Sequence, residues 1–295
     1  KQVTAVVELK ARFDEEQNIN WAEEMERNGV NVVYGFAGLK IHAKLCFVVR
    51  REKGKLERYT HIGSGNYNAA SAKIYTDLGL FTANKDINDD VQDLFNVMTG
   101  YGVVNHYRKL LVSPHPLRPG ITKLIRREIE QHKKHGNGHI IIKCNQLVDY
   151  EMVKVLYEAS RAGVKIECIV RGICSLRPGL PGVSDTITVR SIVGRLLEHA
   201  RIYYFHNNGD EEMYFGSADL MTRNLNGRIE VLTPLLQENL RNNVMNQIVI
   251  PQLKDNIHAW VMNSDGSYTK LQPKKDETVY DSQEEIAKKL NLMKK

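Results

Sequence analysis

The sequence lacks any run of about 18 consecutive apolar residues, the length that a membrane-spanning helix requires. Its first residues, Lys1 to Thr4, do not begin an apolar segment of the kind that signal peptides contain. We therefore expect a protein with no transmembrane segment that is located in the cytoplasm, and the sequence leaves peripheral membrane association open.

Cysteine is scarce, and its four occurrences show no Cys-x-x-Cys spacing. Because the cysteines lie in or beside apolar, strand-like runs, we expect buried, reduced thiols rather than disulfides or metal ligands. The four positions are Cys46, Cys144, Cys168 and Cys174.

Neither sign of charge dominates, since 41 lysines and arginines face 35 acidic residues and the net charge is +6. A modest positive balance suits a polyanionic ligand, but it does not separate nucleotides from nucleic acids. With 295 residues, 42% hydrophobic and 26% charged, the chain is long enough for two globular domains.

What the sequence does contain is a four-part pattern that occurs twice. The first copy consists of Arg12, His42 with Lys44, the Gly63-Ser64-Gly65-Asn66 turn and Asp77. The second copy consists of Arg171, His199 with Arg201, the Gly216-Ser217-Ala218-Asp219 turn and Glu230. In both copies the carboxylate follows the first glycine of the turn by 14 residues. The repetition predicts one site between two similar halves, with paired histidines, cations and carboxylates that suit phosphoryl transfer.

The second half begins with a readable β-α-β unit. Residues 139–143 form a β-branched run, 149–161 have apolar residues at helical spacing, and 164–170 form a second apolar run. This order predicts an α/β fold with mixed sheets flanked by helices, divided into domains at 1–118 and 119–295. The first half starts at the equivalent of the second strand, Val3 to Leu9. We therefore expect the chain to be a fragment whose parent supplies the preceding strand and helix.

Other elements follow from the same periodicities. Helices are predicted at 14–27, 89–98 and 122–134 and from residue 281 onward, and strands at 30–34, 41–49 and 57–62, with a hairpin at 259–271. On the strand 41–49, His42 and Lys44 would project from one face because they are two residues apart.

The repeated residues have chemical roles that fit together. We expect His42 to be the nucleophile, with Lys44 and Arg201 stabilising the charge on a transferring phosphoryl group. A carboxylate that accepts a hydrogen bond from one imidazole nitrogen leaves the other nitrogen exposed. We expect Asp77 to hold His42 in this way and Glu230 to hold His199. His61 is a rival nucleophile that lies outside the repeated pattern.

Anion-binding groups surround this pattern. The sequence after Asn66 has helical character at 69–72, and the amides at a helix start bind phosphate oxygens. Arg12 and Arg171 lie at the ends of strands, where α/β folds bind ligands, and Arg223 and Arg228 add positive charge. Tyr75 is either a surface on which a base stacks or an ordinary core tyrosine.

The paired His-x-Lys and Gly-Ser-x-Asn motifs resemble the phospholipase D superfamily. That family has an aspartate five residues after the lysine, but this chain has Val49 there and His206 in the second copy, which disfavours a phosphodiesterase. The chain more closely resembles bacterial polyphosphate kinases of the long, multidomain type. The similar stretches span residues 11–16, 38–44, 59–66, 147–149, 170–176 and 221–224.

That resemblance implies two C-terminal, phospholipase-D-like domains. It implies reversible transfer of the γ-phosphate of ATP to inorganic polyphosphate through a phosphohistidine, with Mg²⁺, and no nucleic-acid partner. It also implies a homo-oligomeric parent with N-terminal and head domains that this chain lacks. A phospholipase-D-like phosphodiesterase or nuclease, and a non-catalytic module that binds polyanions, remain the alternatives.

The resemblance also implies roles for individual residues. His42 matches the histidine that is phosphorylated, and His199 matches a second active-site histidine that contacts nucleotide phosphate. Tyr75 and Arg171 match nucleotide-binding positions, to which we add Arg228. Arg12 matches a position at the magnesium–phosphate site, and we expect it to hold phosphate because a guanidinium has no lone pair for a cation.

Overall fold

The computed structural model describes residues 1–8, 15–35, 38–100, 102, 104 and 106–290. Within these residues, no helix has the length and apolar character needed to cross a bilayer. Arg12 lies outside them, as do the first residue of the predicted helix 14–27 and the last of the predicted strand from Val3 to Leu9.

The first half contains seven strands and two helices among its described residues. They are β1 (Thr4–Val7), α1 (Glu15–Arg27), β2 (Asn31–Tyr34), β3 (Lys40–Ile41), β4 (Lys44–Glu52), β5 (Lys55–Gly63), β6 (Tyr75–Thr76), β7 (Gly79–Thr82) and α2 (Lys85–Met98). Strands β4, β5 and β7 form an antiparallel sheet, and β1 pairs in parallel with β2 in a separate sheet. Helix α2 starts where the Asn84 side chain accepts the amide of Ile87, and its buried Val91 and Leu94 lie in the core below the sheet.

The second half is built on one nine-stranded sheet. Its elements are β8 (Leu111–Val112), α3 (Leu117–His135), β9 (His139–Cys144), α4 (Tyr150–Arg161), β10 (Lys165–Val170), β11 (Ile187–Ile192), β12 (Leu197–Glu198), β13 (Arg201–Phe205), β14 (Glu212–Gly216), α5 (Thr222–Gly227), β15 (Arg228–Ile229), β16 (Val231–Pro234), α6 (Glu238–Val244), α7 (Ile250–Lys254), β17 (Ala259–Met262), β18 (Tyr268–Lys270) and α8 (Ser282–Lys289). The strand order is β18-β17-β11-β10-β9-β13-β14-β16-β8. Strand β9 runs parallel to β10 and antiparallel to β13, so the predicted β-α-β unit and the mixed α/β class are confirmed.

Five strands of each half correspond in order and pairing. Strands β13, β14 and β16 repeat β4, β5 and β7, and the parallel pair β10–β11 repeats β1–β2. In the second half β9 lies between β10 and β13 and joins them into one sheet. In the first half the equivalent strands, β1 and β4, belong to separate sheets.

Several local predictions are wrong in instructive ways. The predicted strand 41–49 is broken, because β3 ends at Ile41 and β4 begins at Lys44, leaving His42 between them. The break arises because β3 pairs with β15 of the other half, whereas β4 pairs with β5. The helical segment at 69–72 is a 3-10 turn at Ser71–Lys73. All four cysteines are free, but Cys46 is exposed rather than buried.

Candidate active site

Two short strand pairs join the halves at the site. In the first, β3 pairs in parallel with β15, so that Ile41 lies opposite Ile229. In the second, β12 pairs in parallel with β6, so that Glu198 lies opposite Thr76. Each pair places a residue that precedes a histidine of one half beside a residue that precedes a carboxylate of the other half.

His42 is held between the backbone and a buried carboxylate. The amides of His42 and Ala43 both donate to the carbonyl oxygen of Ile229, over 3.0 and 2.9 Å. Its Nδ1 lies 2.7 Å from Oε2 of Glu230, and Asn224 Nδ2 donates to the other carboxylate oxygen over 2.6 Å. In the tautomer that donates from Nδ1 to this carboxylate oxygen, the lone pair lies on Nε2. No group in the described part of the chain hydrogen-bonds to that Nε2.

His199 is held in a parallel way but with both ring nitrogens engaged. The amides of His199 and Ala200 donate to the carbonyl oxygen of Thr76, over 3.2 and 3.0 Å. Its Nδ1 lies 2.8 Å from Oδ1 of Asp77, and its Nε2 lies 3.0 Å from Nη1 of Arg201. Because a guanidinium only donates, Nε2 of His199 is an acceptor whose lone pair is already used.

The carboxylates are therefore exchanged between the halves. The expectation that Asp77 holds His42 and Glu230 holds His199 is wrong, since Glu230 holds His42 and Asp77 holds His199. The equal interval between turn and carboxylate reflects the repeat within each half. The two strand pairs between the halves, rather than that interval, decide which imidazole each carboxylate meets.

Burial keeps both imidazoles neutral near pH 7, against the effect of the carboxylates that hold them. Burial lowers the pKa of His42 below its ordinary value of 6.5 and outweighs the opposing effect of Glu230. Burial also lowers the pKa of His199, although Asp77 opposes this. For Asp77, burial alone would raise the pKa, but the hydrogen bonds from His199 and Ser64 help to lower it, so this carboxylate is ionised.

The two cations of the pattern are buried beside the imidazoles. Lys44 and Arg201 are only 6% and 3% exposed. The Nζ of Lys44 donates to the backbone oxygen of His42, and burial lowers its pKa from 10.5 to about 7. Arg201 pairs with Asp219 over 3.0 Å, and its charge also lowers the pKa of His42. Arg201 thus contacts one histidine and acts electrostatically on the other, as expected of a single shared site.

The first Gly-Ser turn holds Asp77 in place. Ser64 Oγ donates to Oδ1 of Asp77 over 2.6 Å and accepts the amide of Leu78 over 2.9 Å. A Cβ at Gly65 would lie 2.1 Å from Oδ2 of Asp77, so glycine is needed for this close approach. At the following turn, where the sequence predicts a phosphate cradle, the amides of Ala70 and Ser71 donate to the Asn68 side chain, and the cradle stays a prediction.

Other predicted residues lie around this centre. The Tyr75 ring lies 4.8 Å from the His199 ring and is tilted by 45°. Arg171 Nη1 donates to the backbone oxygen of Glu198 over 3.0 Å, and Arg228 Nη1 lies 3.9 Å from Oε1 of Glu230. The positive charge of Arg223 acts on Arg228 and helps to lower the pKa of that guanidinium.

His61 lies apart from the histidine–carboxylate pairs. Its Nδ1 lies 2.7 Å from the hydroxyl of Tyr67, and its ring lies 4.5 Å from the ring of Phe81. It is paired across the sheet with Cys46, whereas Lys44 is paired with Gly63 at the site.

The described residues do not form a protein-held magnesium site. Among them, no three His, Cys, Asp or Glu side chains are grouped so as to hold a metal ion. The three carboxylates nearest the centre are each engaged by an imidazole or a guanidinium: Asp77, Asp219 and Glu230.

Sequence reasoning missed a second layer of polar residues. Asp219 was visible in the repeated motif, but its pairing with Arg201 was not. Lys143 and Glu198 form a buried ion pair at 2.9 Å, and each is 3% exposed at its side chain. A lysine that ends an isoleucine-rich strand was the available signal.

Two family profiles match this chain, and together they cover most of it. The profile described as Polyphosphate kinase C-terminal domain 1 matches residues 1–103, and that described as Polyphosphate kinase C-terminal domain 2 matches residues 110–283. The chain belongs to the polyphosphate kinase family. The resemblance drawn from the motifs is thereby confirmed.

Individual polyphosphate kinases give the same result. The chain is 56% identical over 271 residues to a polyphosphate kinase of Prosthecochloris aestuarii, covering 92% of this chain and 38% of that protein. It is 50% identical over 295 residues to polyphosphate kinase 1 of Chlorobaculum tepidum, covering 100% of this chain and 42% of that protein. The crystal structure of polyphosphate kinase from Porphyromonas gingivalis matches with a TM-score of 0.90 and 40% identity, covering 99% of this chain and 44% of that one. The chain thus spans about two fifths of the length of these polyphosphate kinases.

Proposed function

We propose that this chain carries the catalytic centre of a polyphosphate kinase that transfers the γ-phosphate of ATP reversibly to inorganic polyphosphate through phospho-His42. The observation that carries the proposal is the state of His42. Its Nδ1 is held by buried Glu230, and no described residue hydrogen-bonds to its Nε2. His199, by contrast, already uses its Nε2 lone pair to accept from Arg201.

In the first step, the lone pair on Nε2 of His42 attacks the γ-phosphorus of ATP. The N–P bond forms while the bond from the γ-phosphorus to the bridging oxygen breaks, and ADP leaves with that electron pair. The ring gains positive charge as the bond forms, and Glu230, 2.7 Å from Nδ1, stabilises it. Lys44 and Arg201 offset the negative charge on the transferring phosphoryl group.

In the second step, a terminal oxygen of polyphosphate attacks the phosphorus of phospho-His42. The N–P bond breaks, and its electron pair returns to Nε2, so His42 regains its starting state. In both steps the phosphoryl group moves between a phosphate oxygen and Nε2 of His42, so the two-step reaction can run in either direction.

The remaining residues of the site suit the nucleotide. We place the base against Tyr75 and the phosphates against Arg171 and Arg228, with His199 close to the phosphates. Arginine matches phosphate geometry better than lysine does because its planar fork donates two parallel hydrogen bonds. Since Asp77, Asp219 and Glu230 are engaged by protein groups, magnesium would enter as part of the substrate, bound to the nucleotide phosphates.

The rest of a longer parent protein belongs to the same proposal. We expect N-terminal and head domains, contacts between copies in a homo-oligomer, and a cytoplasmic location in which the four free cysteines stay reduced. The repeat indicates where one added segment would bind. A strand equivalent to β9 would fit between β1 and β4 and join their separate sheets into one.

Labelling of the full-length protein with γ-labelled ATP tests the proposal. An acid-labile, base-stable adduct is expected, and it should be lost in His42→Ala but retained in the control His61→Ala. Label that persists in His42→Ala and vanishes in His61→Ala or His199→Ala would move the nucleophile. Hydrolysis of a phosphodiester without nucleotide would instead indicate a phosphodiesterase, and polyphosphate binding without turnover a non-catalytic module.

A further inference from the structure

The two strand pairs between the halves differ sharply in chemistry. The pair before His42 and Glu230 brings together two apolar residues, Ile41 and Ile229. At the corresponding positions before His199 and Asp77, the second pair has Glu198 and Thr76. A buried carboxylate therefore stands where the other half of the site uses an isoleucine.

Four side chains surround the carboxylate of Glu198. Lys143 Nζ, Thr76 Oγ1 and Gln252 Nε2 donate to Oε2 over 2.9, 3.0 and 2.6 Å. Gln283 Nε2 donates to Oε1 over 2.8 Å. Burial would raise the pKa of Glu198, but the Lys143 charge and these hydrogen bonds outweigh it, and the pKa is lowered.

Gln283 belongs to α8, the C-terminal helix that sequence patterns connect to no chemistry. Besides Glu198, its amide group bonds the backbone of Leu196 in both directions, accepting from the amide over 2.9 Å and donating to the oxygen over 2.8 Å. The loop passes so close that a Cβ at Gly194 would lie 2.5 Å from Oε1 of Gln283. The N-terminal end of α8 is thus fixed to the loop that precedes His199.

A buried ion pair of this kind is expensive, and apolar residues of similar volume often give equal or greater stability. The other strand pair joins the halves with two isoleucines, Ile41 and Ile229, at the corresponding positions. Stability alone therefore does not explain why a carboxylate, a lysine and two glutamines converge one residue before His199.

We propose that Glu198 and Gln283 are positioning residues, which set the place of the His199 main chain and so the His199–Asp77 contact. Glu198 bonds Thr76, the residue before Asp77, and its own backbone oxygen accepts from Arg171. Glu198 therefore contacts Thr76, beside Asp77, through its side chain and Arg171 through its backbone oxygen, and it directly precedes His199. This inference rests on the proposed function only where it predicts a change in kcat/KM.

Gln283→Leu in the full-length protein tests this, because leucine keeps most of the volume and removes every hydrogen bond of the amide. We expect hydrogen–deuterium exchange to rise at least tenfold at residues 194–201 and 74–78, where the His199 and Ala200 amides bond Thr76. Exchange at 38–44 and 226–231, the other strand pair, should not change. The kcat/KM for ATP should fall roughly tenfold or more, since small misplacement of a binding group costs this much.

Lys288→Ala is the matched control, because Lys288 lies on the same helix with its side chain 51% exposed and, among the described residues, forms ion pairs with Glu284 and Glu285 of that helix. It should leave exchange unchanged and kcat/KM within about twofold. Glu198→Gln, which keeps the shape but removes the charge that faces Lys143, should reproduce the local exchange increase.

The outcomes separate this inference from the proposed function. Unchanged exchange in Gln283→Leu, or an increase spread over the whole second half, would overturn the positioning role. The local exchange increase with normal kcat/KM would also overturn it. A local increase in a protein whose unaltered form makes no polyphosphate would support the positioning while refuting the proposed function.

Discussion

Replacing Lys44 by methionine is expected to stabilise the protein while abolishing its activity. Lys44 is 6% exposed, and burial lowers its pKa from 10.5 to about 7. Each pH unit of that difference corresponds to about 1.4 kcal/mol, so keeping this ammonium charged in the folded state costs on the order of 5 kcal/mol below pH 7. Methionine fills similar space without a charge, and we expect roughly 1–3 kcal/mol of this cost to appear as a higher free energy of unfolding.

The gain in the free energy of unfolding should depend on pH in a defined way. The pKa of Lys44 is lower in the folded than in the unfolded state, so the unfolded state binds more protons between about pH 7 and 10.5. The stability of the unaltered protein should therefore rise with pH across this window. The advantage of Lys44→Met should be greatest below pH 7 and should disappear towards pH 10.5.

Urea unfolding between pH 6 and 10 measures this directly. Lys85→Met is the control, because the Lys85 side chain is 81% exposed and its removal should change stability by less than about 1 kcal/mol at every pH. A Lys44→Met protein that is less stable at every pH, or whose advantage does not vary with pH, would refute the reasoning. Retained polyphosphate synthesis in Lys44→Met would refute the assigned role of the ammonium.

Two further predictions concern the imidazoles. Glu230→Gln should slow the labelling of His42 by on the order of 100-fold in a single-turnover rapid-quench experiment, because Glu230 holds His42. Asp77→Asn should slow the same step by less than about tenfold. A larger effect of Asp77→Asn than of Glu230→Gln would contradict the pairing of His42 with Glu230. The kcat/KM for ATP should fall on the acid side only below pH 6.5, where His42 gains a proton because its pKa is lowered, and on the alkaline side from about pH 7 as Lys44 loses its proton. A pH–rate profile whose acid limb lies at or above pH 6.5 would argue against a buried neutral His42.

The sequence revealed the parts of the site better than their connections. The repeat identified His42, Lys44, His199 and Arg201, and the structure brings all four into one charged cluster. Local periodicity also located α1, α4 and the parallel strands β9 and β10 to within a residue or two. Such features are readable because they depend on neighbours in the sequence.

The pairing of carboxylates was not readable, for a physical reason. It depends on β3–β15 and β6–β12, whose strands have two residues each and are too short to show any periodicity. Their partners are also separated by more than 100 positions, which no local pattern records. The prediction that Cys46 is buried failed for a related reason. The strand that contains Cys46 is apolar in sequence, but only one of its faces lies against α2.

Because the carboxylate that holds each imidazole comes from the other half, neither half alone contains a complete histidine–carboxylate pair. Both the His42–Glu230 and the His199–Asp77 contact join one half to the other, so both depend on the same relative placement of the halves. Under the proposed function, both phosphoryl-transfer steps would therefore depend on the alignment of the two halves.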